Sequence, residues 1–188
     1  MRSVVASLRA VCPHRALTVG ESLRVAELQA VRLLAAREDT APPVGDAVIA
    51  RLPRIEVSRL GRIPVSGSVH WAKGRWVIAL DRGEAYVRQR FSLAHEFKHV
   101  LDAPFGPTLY PAWRGMTTQN RSEQAADHFA ANLLMPRAWV KRAYYDEGVT
   151  DLRRLAFRFN VSQVAMRIRL SALGIVTART RCDLAEAA

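Results

Sequence analysis

The chain has 188 residues, 49% of them hydrophobic, which suits one packed domain with a small appendage. No apolar run approaches the roughly 20 residues that a membrane-spanning helix needs, and Arg2 and Arg9 flank the only apolar stretch near the N-terminus, so neither a membrane anchor nor a secretory signal is expected and a cytoplasmic location is. The net charge of +11 is carried almost wholly by arginine, with Lys73, Lys98 and Lys141 the only lysines; it admits an acidic or nucleic-acid partner, and it fits a GC-rich coding bias equally well.

In chain order, Leu23, Ala26, Glu27, Ala30, Leu33 and Leu34 recur with helical spacing and predict an amphipathic helix over 21–36. The Ala41-Pro42-Pro43-Val44-Gly45 run breaks the chain before a short helix at about 46–52. Residues 54–80 read as strands: Ile55-Glu56-Val57, then 65–71, then Trp76 to Leu80, with Lys73-Gly74 turning an antiparallel hairpin. A helix from Tyr86 or Phe91 to Leu101 buries Leu93, Ala94, Phe97, Val100 and Leu101 on one face. A Pro- and Gly-rich loop then runs from Asp102 to about Asn120, and Ser122 is the expected cap of a helix over 122–134. Further helices are expected over 136–147, from Thr150 or Asp151 to Phe159, and from a Ser162 cap to Leu173-Gly174.

The chemistry-bearing residues sit on two of these helices. His95-Glu96-Phe97-Lys98-His99 places two imidazoles four residues apart, so both can point at one ion, with Glu96 beside them as general base. Cys12 and Cys182 lie near opposite ends and read as unpaired thiols, so any metal must be held by His and carboxylate. A catalytic zinc needs a third protein ligand and an open position. Glu123 can supply the ligand, and Asp127, four residues on, can accept the free N–H of a ligand histidine. A His-His-Glu set favours Zn2+. Taken alone, Glu123 reads more readily as an exposed first-turn acid favoured by the helix dipole; beside His95-Glu96-Phe97-Lys98-His99 the ligand reading takes precedence. His128, His70 and His14 read as surface or structural residues. Tyr110, Tyr144, Tyr145 or an arginine could donate to a transition state, and the sequence does not choose among them.

Two blocks resemble the ImmA/IrrE family of bacterial metallopeptidases. Arg90-Phe91-Ser92-Leu93-Ala94-His95-Glu96-Phe97-Lys98-His99 is similar to that family's R-F-[ST]-L-A-H-E-x-x-H signature. Residues 123–136, from Glu123 through Asp127 to Met135-Pro136, are similar to its E-x-x-A-[ND]-x-F-A-A-x-L-L-M-P. Lys98 stands where the family usually has glycine, and Asp127 where asparagine is commoner. Residues 155–174 also look like the family's helix-turn-helix-like segment, made basic by Arg153, Arg154, Arg158, Arg167 and Arg169.

The resemblance implies an α+β fold: a mostly helical zincin-like metallopeptidase core with a small antiparallel sheet, plus the C-terminal helix-turn-helix-like segment. The expected division is a peptidase domain at 1–150, the helix pair at 151–176 packed on it, and a flexible tail at 177–188. The resemblance also implies a substrate, a helix-turn-helix transcriptional repressor of stress-response or mobile-element genes. The alternatives are a non-proteolytic, metal-containing regulator whose C-terminal helices contact DNA or a repressor, and an antitoxin-like partner in a two-gene module. Oligomeric state is not legible.

Overall fold

The computed structural model of the chain describes residues 3–37, 40–61 and 63–175. Cys182 and the expected tail at 177–188 lie outside them. A short helix absent from the sequence reading, α1 (Val4–Arg9), is capped by Ser3. Helix α2 (Val19–Ala36) starts ahead of the expected position because Thr18 and Glu21 close a capping box, with the Glu21 amide donating to Thr18 Oγ1 at 3.3 Å and the Thr18 amide to Glu21 Oε2 at 2.8 Å. Helix α3 (Ala47–Ala50) follows the Pro-Pro break.

Three strands form one sheet: β1 (Ile55–Leu60), β2 (Gly67–Ala72) and β3 (Arg75–Asp81), in spatial order β1-β3-β2. The hairpin is as expected, with Lys73 (φ 47°) and Gly74 (φ 77°) both left-handed at the turn, as a tight two-residue connection requires. The sheet is not wholly antiparallel, however. Strand direction alternates along the chain, and β1 lies against β3 rather than β2, so that pair is parallel. The α+β class stands, with a mixed sheet whose two edges are β1 and β2.

Helix α4 (Tyr86–Asp102) packs across β2 and β3. Its face Leu93, Ala94, Phe97, Val100 and Leu101 is buried as the periodicity predicts. Helix α5 (Thr118–Leu134) lies between α2 and α4, with the Phe97 and Phe129 rings 6.1 Å apart. Its cap is Thr117, not Ser122: the Asn120 amide donates to Thr117 Oγ1 at 3.1 Å, so the helix begins a turn early and Glu123 sits in its second turn. The preceding loop is partly ordered as a 3₁₀ segment at Ala103–Thr108.

After α6 (Arg137–Lys141) and a π-helical turn at Arg142–Asp146 come α7 (Leu152–Phe159), capped by Asp151, and α8 (Gln163–Ala172), capped by Ser162. Asn160 turns between them in the left-handed region. Leu155, Phe159, Met166 and Leu170 join the same core as α4 and α5. Two buried arginines pin this pair. Arg90 donates to the carbonyls of Phe159, Asn160 and Val44. Arg169 donates to Met135 O at 2.9 Å and Asn132 Oδ1 at 2.8 Å. Burial, against the pull of Glu27, lowers the Arg169 guanidinium to about 10. No helix among the described residues is long and apolar enough to cross a membrane.

Candidate metal centre

Helices α4 and α5 bring His95, His99 and Glu123 to one point, with ligand-capable atoms all within 4.8 Å of one another. His95 Nε2 lies 3.1 Å from His99 Nε2 and 3.0 Å from Glu123 Oε2, and His99 Nε2 lies 3.5 Å from Glu123 Oε1. Bonds of about 2.0–2.2 Å to a tetrahedral zinc put its ligands about 3.3–3.6 Å apart. The separations lie near that spacing, with Glu123 turning one oxygen toward each imidazole.

Proton bookkeeping points the same way. Asp127 Oδ1 accepts from His95 Nδ1 at 2.9 Å, which commits the ring proton of a neutral His95 to that side. Nε2 then presents a lone pair to a second imidazole nitrogen and a carboxylate oxygen. Converging lone pairs repel unless a cation, or a proton, lies among them. Without a cation the protonation is uneven. Burial disfavours the His95 cation, yet the Asp127 hydrogen bond and the charges of Asp127, Glu123 and Glu96 outweigh it and hold its pKa above the usual histidine value. Burial, reinforced by the His95 charge, pushes His99 down despite Glu123 and Asp102. An imidazolium cannot ligate, so affinity for an ion falls as pH falls through the raised His95 value. The donor set fits a divalent ion of the zinc type.

Asp127 is exposed at 62% of its side chain, so little of the fold depends on it. Asp127→Ala is expected to weaken zinc affinity by about 10–100-fold while leaving the unfolding midpoint in place, measured by chelator competition. Unchanged affinity would remove Asp127 from the site.

Glu96 is half-buried beside the histidines. Burial, aided by the Glu123 charge and opposed by His95, raises its carboxyl above the usual range. Strand β2 passes directly over it: a Cβ on Gly67 would sit 3.0 Å from Glu96 Cγ and 3.1 Å from Oε1. A methyl group there would press on the Glu96 side chain and move it by a few tenths of an ångström. The sequence reading missed Gly67, and an isolated glycine at the start of a strand was the available signal. Gly67→Ala is expected to lower kcat about tenfold by shifting Glu96, with metal content unchanged. Equal kcat would show that the carboxylate position does not matter.

The site opens into a cleft of about 670 Å3 that runs from Glu96 and Asp127 past Phe91 to Val164 and Ile168 on α8. His128, expected at the surface, is half-buried and lines this cleft; burial and the Arg169 charge, against Glu27, lower its pKa. His70 and His14 are exposed. Tyr110 is buried in contact with Lys98 and Asp102, and neither Tyr144 nor Tyr145 lines the cleft.

The metal-ligand geometry and the signature blocks meet one family. A peptidase family model described as the IrrE N-terminal-like domain matches residues 54–171. The chain belongs to that family. It is thus a metallopeptidase-like domain with a His-His-Glu cluster compatible with a metal. Among curated proteins, none matches the chain. A solved Mycobacterium tuberculosis transcriptional regulator is similar in fold, with a TM-score of 0.61 at 20% identity over 78% of this chain. The chain spans 46% of that regulator's length, so the likeness speaks for the fold alone.

Proposed function

We propose that this chain hydrolyses peptide bonds with a zinc ion held by His95, His99 and Glu123. The convergence of those three side chains from two helices, with Asp127 behind His95, is the observation that carries the reading. A zinc ion supplies a Lewis acid that polarises a carbonyl and brings the pKa of water toward about 7. Glu96 takes the proton of the attacking water and passes it to the leaving amine, a task suited to a carboxyl whose pKa burial has raised. Asp127 fixes the His95 tautomer.

The substrate we propose is a helix-turn-helix transcriptional repressor, with derepression of stress-response or mobile-element genes as the outcome; family membership supports this reading. Residues 1–150 are read as the peptidase body and 151–176 as a helix pair docked on it, in keeping with the shared core and the Arg90 and Arg169 hydrogen bonds. The test is incubation of the zinc-loaded protein with a helix-turn-helix repressor from the same genome. Fragments should appear in mass spectra, vanish with chelator and return with zinc. Chelator-insensitive fragments would exclude the mechanism.

A second reading has one observation in its favour. Helix α7 exposes Arg153 and Arg154 around Phe157, which is 89% exposed. A basic face with an open aromatic suits a regulator that binds nucleic acid without cleavage. Salt-sensitive duplex binding by a protein that cleaves nothing would favour it.

A further inference from the structure

We infer that α8 is the specificity wall of the cleft, and that its outer face selects a polypeptide presenting a large aliphatic side chain beside the scissile bond. The inference rests on the peptidase reading above. Val164, Ile168 and Ala172 recur every four residues and so share one face of α8, and all three line the same cleft as His95, Glu96 and Glu123. Val164 is 66% exposed and Ile168 65%, the large apolar side chains that α8 leaves open, while Met166, Arg169 and Leu170 make its buried face.

The opposite face holds α8 still. Met166 and Leu170 are fully buried, and Arg169 is fastened to Met135 O and Asn132 Oδ1 at the end of α5. The wall is therefore built on the helix that carries Glu123. Across the cleft, Val87 and Phe91 of α4 supply further apolar surface one to two turns before His95. A side chain entering between α4 and α8 meets hydrocarbon on both sides while its backbone remains near Glu96.

Side-chain chemistry narrows the occupant. The lining is of mixed charge, with Glu96, Glu123 and Asp127 set against Arg88 and Arg169, so it offers a phosphate backbone no uniformly basic track. A recognition helix in a duplex groove must also stand free with its outer residues on base edges. Here those residues are valine, isoleucine and alanine facing a walled cleft, so the occupant is a polypeptide and not nucleic acid. A hydrophobic pocket discriminates by side-chain size.

The test uses the full chain carrying Glu96→Gln, so that binding is read without turnover. The probes are two fluorescein-labelled octapeptides of glycine and serine, one with a central leucine and one with alanine there. The leucine peptide should bind about tenfold tighter or more by anisotropy. Adding V164A and I168A should erase that preference while zinc content stays at the parent level. No preference in the parent, a preference that survives V164A/I168A, or no binding of either peptide at about 1 mM would overturn the inference. The two readings separate in the chain with Glu96 intact. Cleavage of both peptides at equal rates keeps the peptidase and discards the α8 wall. An α8-dependent preference in a zinc-loaded chain that cuts neither the peptides nor a helix-turn-helix repressor keeps the wall and discards the peptidase.

Discussion

Glu96→Gln is expected to lower kcat for peptide hydrolysis by about 10²–10⁴-fold while the protein keeps its zinc. The substitution retains shape and hydrogen bonding but removes the ability to accept a proton. Glu96 lies outside the ligand-capable cluster of His95, His99 and Glu123, so ion affinity has no reason to change. Partial burial raises its carboxyl above the usual range, with His95 opposing and the Glu123 charge adding to the rise. The checks are turnover of a fluorogenic peptide and metal analysis of the same preparation. A variant retaining more than about a tenth of wild-type kcat would place the base elsewhere.

The second large effect is on stability and lies behind the site. Lys98 is fully buried and donates to Asp102 Oδ1 and, at 3.0 Å, to Tyr110 OH; Tyr110 OH in turn donates to Asp102 Oδ2 at 2.6 Å. Burial, then the Asp102 charge and hydrogen bond, pushes the Tyr110 phenol far up, so it remains a donor. Nearby Cys12 is pushed up to about 11 by burial and the Asp102 charge, so it stays a thiol. Asp102→Ala leaves an ammonium and a phenol without their acceptor in a dry core. The expected cost is about 3–5 kcal/mol, a large share of a typical total of about 5–15 kcal/mol. Urea denaturation measures it. Replacing both ionic partners by apolar residues, Lys98→Met with Asp102→Leu, should recover much of the loss. A cost of under about 1 kcal/mol for Asp102→Ala would mean the triad is solvated in solution.

This triad shows how far sequence reading reaches. Lys98 departs from the family glycine, and the i, i+4 spacing to Asp102 is visible along α4, but Tyr110 arrives from a loop whose path no periodicity encodes. The convergence of His95, His99, Glu123 and Asp127 is legible for the opposite reason. Each pair is four residues apart on one helix, and the apolar stripe through Phe97 and Phe129 dictates that the two helices meet. Strand existence was legible and strand order was not, because alternation gives burial and says nothing of which neighbour a strand chooses. The run Thr117-Thr118-Gln119-Asn120-Arg121-Ser122 offers several caps, and the hydrogen bond from Asn120 decides for Thr117. Arg169 counts as surface charge in composition. Its spacing from Met166 and Leu170 marks the buried face of α8, which is where the structure puts it. Gly67 could not be tied to Glu96 by any local pattern, since the contact forms only when β2 crosses α4.

Hydrolysis at this site requires an ion held between α4 and α5, and metal content reads that directly. The purified chain, exposed to zinc and desalted, should retain about one equivalent, and His95→Ala and Glu123→Ala prepared alongside should each retain close to none with unchanged circular dichroism. Stoichiometric zinc in either variant, or a wild-type chain that retains none, would contradict it.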